Sequence, residues 1–232
     1  MYSEKFKAFI EMWRHDFAIE RSIDEQICLD RDGRPIPWYT YPAIEYLRSF
    51  AYHDKRVFEY GCGQSALFWA ERALSLTTVE NNPQWFDKWQ QELKAPNLNI
   101  MLRTEDEAYE NAVWESGQPY DVIAIDGIRR RQCAEAAVKA LAPGGMIILD
   151  DSDRIATSED YAAAVETLRQ AGLLQVDFYG CCPMNCYAKT TSLFLHRDFD
   201  FAAAEGHRPV NGWGNLWGKG RRQRKAFYKK FG

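Results

Sequence analysis

No stretch of the 232-residue sequence approaches the roughly 20 uninterrupted apolar residues that a membrane-spanning helix needs. Charges break up the opening MYSEKFKAFIEMWRHDF where a secretory leader would carry its apolar stretch, so a cytoplasmic protein is expected. Histidine is scarce: His15, His53, His196 and His207 are scattered and supply no metal-site spacing. Of the six cysteines, Cys28, Cys62, Cys133, Cys181, Cys182 and Cys186, only the last three cluster, in CCPMNC. With no second pair for zinc and no leader, they read as reduced thiols in a tight loop.

Acidic residues are missing from residues 206–232, which hold Arg208, Lys219, Arg221, Arg222, Arg224, Lys225, Lys229 and Lys230. The tail is therefore +8 and the remainder −12, within a net charge of −4. Such a segment suits an anionic partner or a solvated end, and its aromatics, Trp213, Trp217, Phe227 and Tyr228, imply that part of it packs. Internal repeats are absent too.

What is present is an ordinary globular composition, 46% hydrophobic and 27% charged, sufficient for one domain with a full core. From Arg56 onward, β-like runs alternate with amphipathic stretches: RVFEYG, SLTTVEN, NLNIMLRT, YDVIAIDG and GGMIILDDS. Phe86, Trp89 and Leu93, like Cys133, Ala137 and Leu141, recur at helical spacing, giving each crossover an apolar stripe to lay on a sheet. After a helix around Tyr161, Val165 and Leu168 come LLQVDFYG and KTTSLFLHR, joined by a loop too short for a helical crossover, so they should pair antiparallel. The expectation is an α/β fold with a doubly wound, mostly parallel seven-stranded sheet and an antiparallel last strand. Residues 1–55, with helices near Glu4–Trp13 and Tyr41–Tyr52 joined by LDRDGRPIPW, read as a helical lid. The core is placed at residues 56–197 and the tail at 198–232.

The turn after the first strand, VFEYGCGQSALFWA, places Gly61 and Gly63 where a backbone must approach a ligand most closely. Read as G-x-G-x-x-A it could serve a dinucleotide, whose pyrophosphate would rest on amides at the helix start. Glu59, two residues before the first glycine, would repel a pyrophosphate and welcome an ammonium group, favouring a cofactor that bears an amino acid. Glu80 ends the second strand, with Asn81 beside it, where a carboxylate can accept the hydroxyls of a ribose. Glu80 and Asp126 are equally able to cap the helices that follow them.

These residues together resemble the class I S-adenosylmethionine-dependent methyltransferases, whose first motif is an acid, any residue, then glycines at alternate positions. EYGCGQS matches, with Ser65 in place of the last glycine, and the likeness spans roughly residues 40–197. The resemblance implies a Rossmann-like methyltransferase fold and S-adenosylmethionine as cofactor. It further implies that Glu59, Gly61 and Gly63 hold its methionine part, Glu80 its ribose, and Glu105 or Asp106 its adenine, with Ser65, Asn81 and Asp126 also expected as cofactor contacts.

Asp126 and Asp151, at the ends of strands four and five, are expected as catalytic residues. In cation-dependent O-methyltransferases of the catechol and macrolide-sugar types, which this part resembles, acids here hold magnesium, and the metal lowers the acceptor hydroxyl's pKa. Ser152 and Arg129 depart from the catechol pattern, which has Asn and Lys there, so the aspartates equally suit cofactor contact or loop anchoring. Arg129 and Arg130, with Tyr39 and Tyr41 of PWYTYP, are the candidate acceptor contacts, the tyrosines alternatively serving as core.

Methyl transfer to a hydroxyl of a small molecule or sugar-containing metabolite is expected, with no membrane or nucleic-acid partner; a homo-oligomer is left open. A nicotinamide-dependent reductase is the enzyme alternative, disfavoured by Glu59, the hairpin ending and the lack of a Tyr-x-x-x-Lys pair. A non-catalytic protein using the basic tail to hold RNA is the other.

Overall fold

The computed structural model describes residues 2–216 and 219–231, so Trp217 lies outside the described residues. Helices α1 (Glu4–His15), α2 (Ile19–Glu25) and α3 (Tyr41–Leu47) precede the sheet. Strands β1 (Arg56–Tyr60), β2 (Ser75–Glu80), β3 (Leu98–Leu102), β4 (Tyr120–Ile125) and β5 (Leu141–Leu149) alternate with α4 (Ser65–Ala70), α5 (Pro83–Glu92), α6 (Asp106–Asn111) and α7 (Arg130–Ala140). Then follow α8 (Glu159–Gln170), β6 (Leu174–Cys181), β7 (Ala188–Leu195) and α9 (Arg221–Phe231).

The seven strands lie in the order β3-β2-β1-β4-β5-β7-β6. Strands β1 to β5 pair parallel, whereas β7 runs antiparallel to both β5 and β6, the ending that the short loop between β6 and β7 dictates. The order reverses at β1, so the crevice between the ends of β1 and β4 is the natural ligand site.

Alternation along the strands builds two cores. Val57, Leu76, Val122, Ala124, Met146, Ile148 and Leu193 face the layer containing α3, α4 and the N-terminal segment. Phe58, Tyr60, Val79, Ile123, Ile125, Ile147 and Leu149 face α7 and α8. Each strand residue of Val, Ile or Phe size buried there contributes about 1.5–3 kcal/mol of transfer free energy. Small residues on α7, Cys133, Ala134 and Ala137, are all fully buried and let the helix lie close to the sheet.

The N-terminal region differs from expectation in two ways. It holds three helices rather than two, and α3 ends at Leu47 because the chain then turns into an isolated bridge between Phe50 and Ala203. That bridge, together with the hydrogen bond from Ala51 N to Ala202 O, ties the start of the C-terminal segment to the N-terminal one. Trp213 completes an aromatic cluster with Phe17 and Tyr41, at ring centroid distances of 6.0 and 6.1 Å. The aromatics of the tail thus divide: Trp213 packs, while Phe227 and Tyr228 on α9 are 40% and 52% exposed.

Candidate functional site

A cleft of about 680 Å³ opens over the ends of β1, β2, β4 and β5, within the ~300–1,000 Å³ usual for small-molecule sites. Its floor is the glycine turn. Gly61 sits at φ +91°, and a Cβ there would lie 2.8 Å from the Asp126 carbonyl oxygen, so only glycine lets the turn pass so close to the end of β4. At Gly63 a Cβ would meet only the Ser65 hydroxyl at 3.8 Å, which leaves open space over the backbone beside the cleft. The turn is a cradle that a ligand can approach.

Glu80 fixes that cradle. One carboxylate oxygen accepts the amide of Cys62 at 3.1 Å, and the other accepts those of Asn81 and Asn82 at 2.9 and 2.8 Å. An ionised carboxylate offers about four acceptor positions, so Glu80 keeps capacity for a ligand hydroxyl while bracing the turn. Trp85 adds a hydrogen bond from its indole N–H to the Cys62 carbonyl, 2.6 Å. The backbone N–H and C=O of Cys28 pair with the Gln64 amide group at 3.0 Å each, clasping the N-terminal segment to the start of α4.

At the other end of the cleft, acids and bases are interleaved. Arg130 Nη2 lies 3.3 Å from Asp126 Oδ1, and its Nη1 donates to the Ile125 carbonyl. The Lys189 ammonium pairs with Asp150 and, at 3.0 Å, with Asp151, which also meets Arg154 at 3.0 Å. Thr191 links layers: its hydroxyl donates to Asp150 at 2.6 Å and accepts the Thr40 amide at 3.0 Å, while the Thr40 hydroxyl donates to the Phe178 carbonyl.

Burial holds the carboxyls of Asp126 and Asp150 above their ordinary range, partly offset by Lys189 and, at Asp126, by Arg130. For Lys189, burial acts to lower the pKa, but Asp150, Asp126 and Asp151 together raise it above the ordinary lysine value. The ammonium therefore stays charged.

The structure brings Gly61, Gly63, Ser65, Glu80, Asn81, Asp126, Arg130 and Asp151 together on the cleft wall. Six other candidates lie elsewhere. Tyr39 is fully buried, and Tyr41 donates its hydroxyl to the Phe17 carbonyl within the aromatic cluster, so both are core residues rather than acceptor walls. The residue that lines the cleft is their neighbour Trp38, 44% exposed. Arg129 turns away to pair with Asp106 at 2.9 Å and with Glu110. Asp106 is thereby engaged, and Glu105, exposed, precedes α6 without lining the cleft.

Glu59 also lies outside the cleft. It shares a strand face with Val57, so its carboxyl points beneath the turn into the layer that holds α3 and α4, where it is 0% exposed. Neither oxygen makes a hydrogen bond of ordinary geometry. Burial pushes its pKa up to about 8, against a smaller lowering by the nearby Ser65 and Thr78 hydroxyls. Burial thus favours the neutral carboxyl, and its place below the turn keeps it off the cleft wall where an ammonium group was expected to meet it.

The magnesium expectation fails on the donor set. Arg130 occupies Asp126 and Lys189 bridges Asp150 and Asp151, so cations of the chain already stand where a divalent ion would sit. Among the described residues no group of three or more His, Cys, Asp or Glu side chains is arranged to hold a metal ion. Lys189 was missed in the sequence, although its signal was there: Lys189, Thr191, Leu193 and Leu195 alternate on one face of β7, and a lysine at such an inward position needs an anionic partner.

No protein-family model matches the chain, and no curated protein matches it. Solved structures do. The precorrin-6y C5,15-methyltransferase from Geobacter metallireducens GS-15 is 15% identical, covering 74% of this chain and 95% of its own, with a TM-score of 0.53. The O-methyltransferase TomG from Streptomyces achromogenes, involved in tomaymycin synthesis and solved with S-adenosylmethionine, is 15% identical over 66% of this chain and 77% of its own, TM-score 0.50. An O-methyltransferase from Bacillus cereus, solved with S-adenosylhomocysteine, is 18% identical over 67% and 78%, TM-score 0.50. What is shared at these identities is the fold, the Rossmann-like sheet of the class I methyltransferases.

Proposed function

We propose that this chain is an S-adenosylmethionine-dependent methyltransferase acting on a hydroxyl of a small molecule. The observation that carries the reading is the glycine turn, whose open face at Gly63 borders a cleft braced by Glu80, on a sheet that ends antiparallel. A nicotinamide-binding sheet usually continues parallel, which argues against the reductase alternative.

The residues of the cradle fit such a cofactor. Gly61 and Gly63 offer backbone to its methionine part, Ser65 a hydroxyl at the start of α4, and Glu80 with Asn81 acceptors and donors for its ribose. When bound, the cofactor supplies a sulfonium methyl group for in-line displacement. The chain's own task is then alignment and exclusion of water: the Gln64–Cys28 clasp closes the lid segment over the turn, and the Thr40–Thr191–Asp150 chain of hydrogen bonds fixes the acceptor end. Asp126 and Asp151 hold cations in place, Arg130 and Lys189 respectively.

Calorimetry tests the reading directly. S-adenosylhomocysteine should bind and raise the melting temperature, while NAD and NADP should do neither; NADPH binding without any response to S-adenosylhomocysteine overturns it. Salt-sensitive RNA binding with no methyl transfer would instead favour a binding protein on this fold.

A further inference from the structure

The acceptor end of the cleft contains a donor with nothing to donate to. A lysine ammonium carries three N–H groups. Two of those on Lys189 are taken up by Asp150 and Asp151, and the third has no partner among the described residues. The side chain is 8% exposed, and what exposure it has is to the cleft that it lines. A buried, permanently charged donor with a vacant hydrogen bond is a site for an oxygen that carries negative charge.

The side chains around it define what bears that oxygen. Lys189 Nζ lies 5.9 Å from the centre of the Trp38 ring, which is 44% exposed and lines the same cleft. Tyr187, 61% exposed, and Ile128, 40% exposed, continue an apolar rim. Flat apolar walls beside a single cation suit a planar ring with one polar edge.

Chemistry narrows the class further. An alcohol or sugar hydroxyl is so weakly acidic that it needs a metal or a strong base to become a nucleophile, and the carboxylates here are committed to Arg130, Lys189 and Arg154. A phenol needs far less, because its anion is delocalised and one ammonium at hydrogen-bond distance stabilises it. Resting on the methyltransferase reading, we propose that the acceptor is a phenol, bound against Trp38 with its ionised oxygen on the free N–H of Lys189, the lysine standing in place of a divalent cation. The step balances: the phenol gives its proton to solvent on binding, its oxygen lone pair forms the bond to the methyl carbon, and the sulfonium leaves with the C–S bonding pair as a neutral thioether.

The probe is 4-nitrophenol, whose anion absorbs at longer wavelength than the acid, titrated into the protein loaded with S-adenosylhomocysteine. 4-Nitrobenzyl alcohol, of similar shape but not ionisable at accessible pH, is the control. Expected are a phenolate spectrum for the bound probe at pH values where the free probe is protonated, and binding at least about tenfold tighter than the alcohol, the scale of a hydrogen bond to a charged group. Lys189→Met should abolish the phenolate spectrum and leave S-adenosylhomocysteine affinity unchanged. Because that change strands Asp150, the double variant Lys189→Met with Asp150→Asn removes both buried charges and serves if the single variant does not fold. Failure of 4-nitrophenol to bind, a bound probe that stays protonated, equal binding of the two compounds, or a phenolate spectrum surviving in a Lys189→Met background each overturn the proposal. Failure of the wild-type protein to bind S-adenosylhomocysteine is read separately, in the first titration, and refutes the methyltransferase reading instead.

Discussion

Replacing each glycine of the turn by alanine should separate folding from cofactor binding. At Gly61 the φ of +91° is unfavourable for alanine, by about 1–2 kcal/mol. The added Cβ would also lie 2.8 and 2.9 Å from the carbonyl oxygen and carbon of Asp126, the residue after β4, whose amide is held by the Tyr60 carbonyl at 3.0 Å, and overpacking against such backbone costs about 1–3 kcal/mol. A combined loss near 3 kcal/mol corresponds to a fall in melting temperature of roughly 6–12 °C for a chain of this size. At Gly63 the φ is not in the left-handed region and the only neighbour of a new Cβ is the Ser65 hydroxyl at 3.8 Å. Stability of Gly63→Ala should therefore stay within about 0.5 kcal/mol of wild type. The methyl group would instead occupy space that the cofactor backbone needs, weakening S-adenosylhomocysteine by about tenfold, or ~1.4 kcal/mol. Thermal unfolding of the free proteins and calorimetric titration with S-adenosylhomocysteine measure both quantities. A Gly61→Ala protein as stable as wild type, or a Gly63→Ala protein that binds with undiminished affinity, would refute the assignment of the turn as a cofactor cradle.

Glu59→Gln should change the pH dependence of stability. With a folded pKa of about 8 against an ordinary value of 4.5, the native state holds a proton that the unfolded state releases, so this residue makes wild type lose stability as pH rises from about 4.5 to 8 and levels off above. The difference in urea-unfolding free energy between Glu59→Gln and wild type should grow by up to about 1.4 kcal/mol per pH unit across that window, and a pH-independent difference contradicts a buried neutral carboxyl. Glu80→Gln can accept at only one of the two positions that hold Cys62 N and the Asn81 and Asn82 amides, so it should weaken S-adenosylhomocysteine by about 1–3 kcal/mol in the same titration. Millimolar magnesium should leave the melting temperature unchanged, since Lys189 and Arg130 occupy the acids; a rise that EDTA reverses would restore the metal reading. Arg130→Ala should cost roughly 1–3 kcal/mol in thermal unfolding, less than a fully buried pair because the Asp126 side chain keeps 24% exposure.

What could be read from the sequence follows the range over which each signal acts. The strands were legible because short apolar runs bounded by turn residues are a local signal, and the antiparallel ending because loop length constrains direction. Side-chain phase was harder. Tyr39 and Tyr41 share a parity in PWYTYP, and nothing in that stretch says which parity faces the cleft; Thr40, fastened to Thr191 and Phe178, sets it, leaving Trp38 outward and Tyr39 buried. The same limit moved Glu59: two residues before Gly61 it looks adjacent to the ligand, but the pleat puts it on the Val57 face, below the turn. Helix α9 buries no side chain, so its formation left no apolar stripe to detect.

The metal expectation shows how a longer-range signal can be recovered. Two acids at neighbouring strand ends look like cation ligands when the chain is read forward, because the cation that answers them is 39 residues away from Asp150. Read from β7, the problem reverses. Lys189 continues the inward series of Thr191, Leu193 and Leu195, and an isolated ammonium at such a position is too costly to bury without an anion. The antiparallel register that pairs Leu149 with Ser192 carries the residue after Leu149 toward Thr191, whose hydroxyl meets Asp150, and brings Lys189 to the same carboxylate. Strand order plus one inward lysine is thus enough to identify the cation at these acids as one supplied by the chain, and to direct the search for an acceptor toward one whose oxygen ionises beside an ammonium.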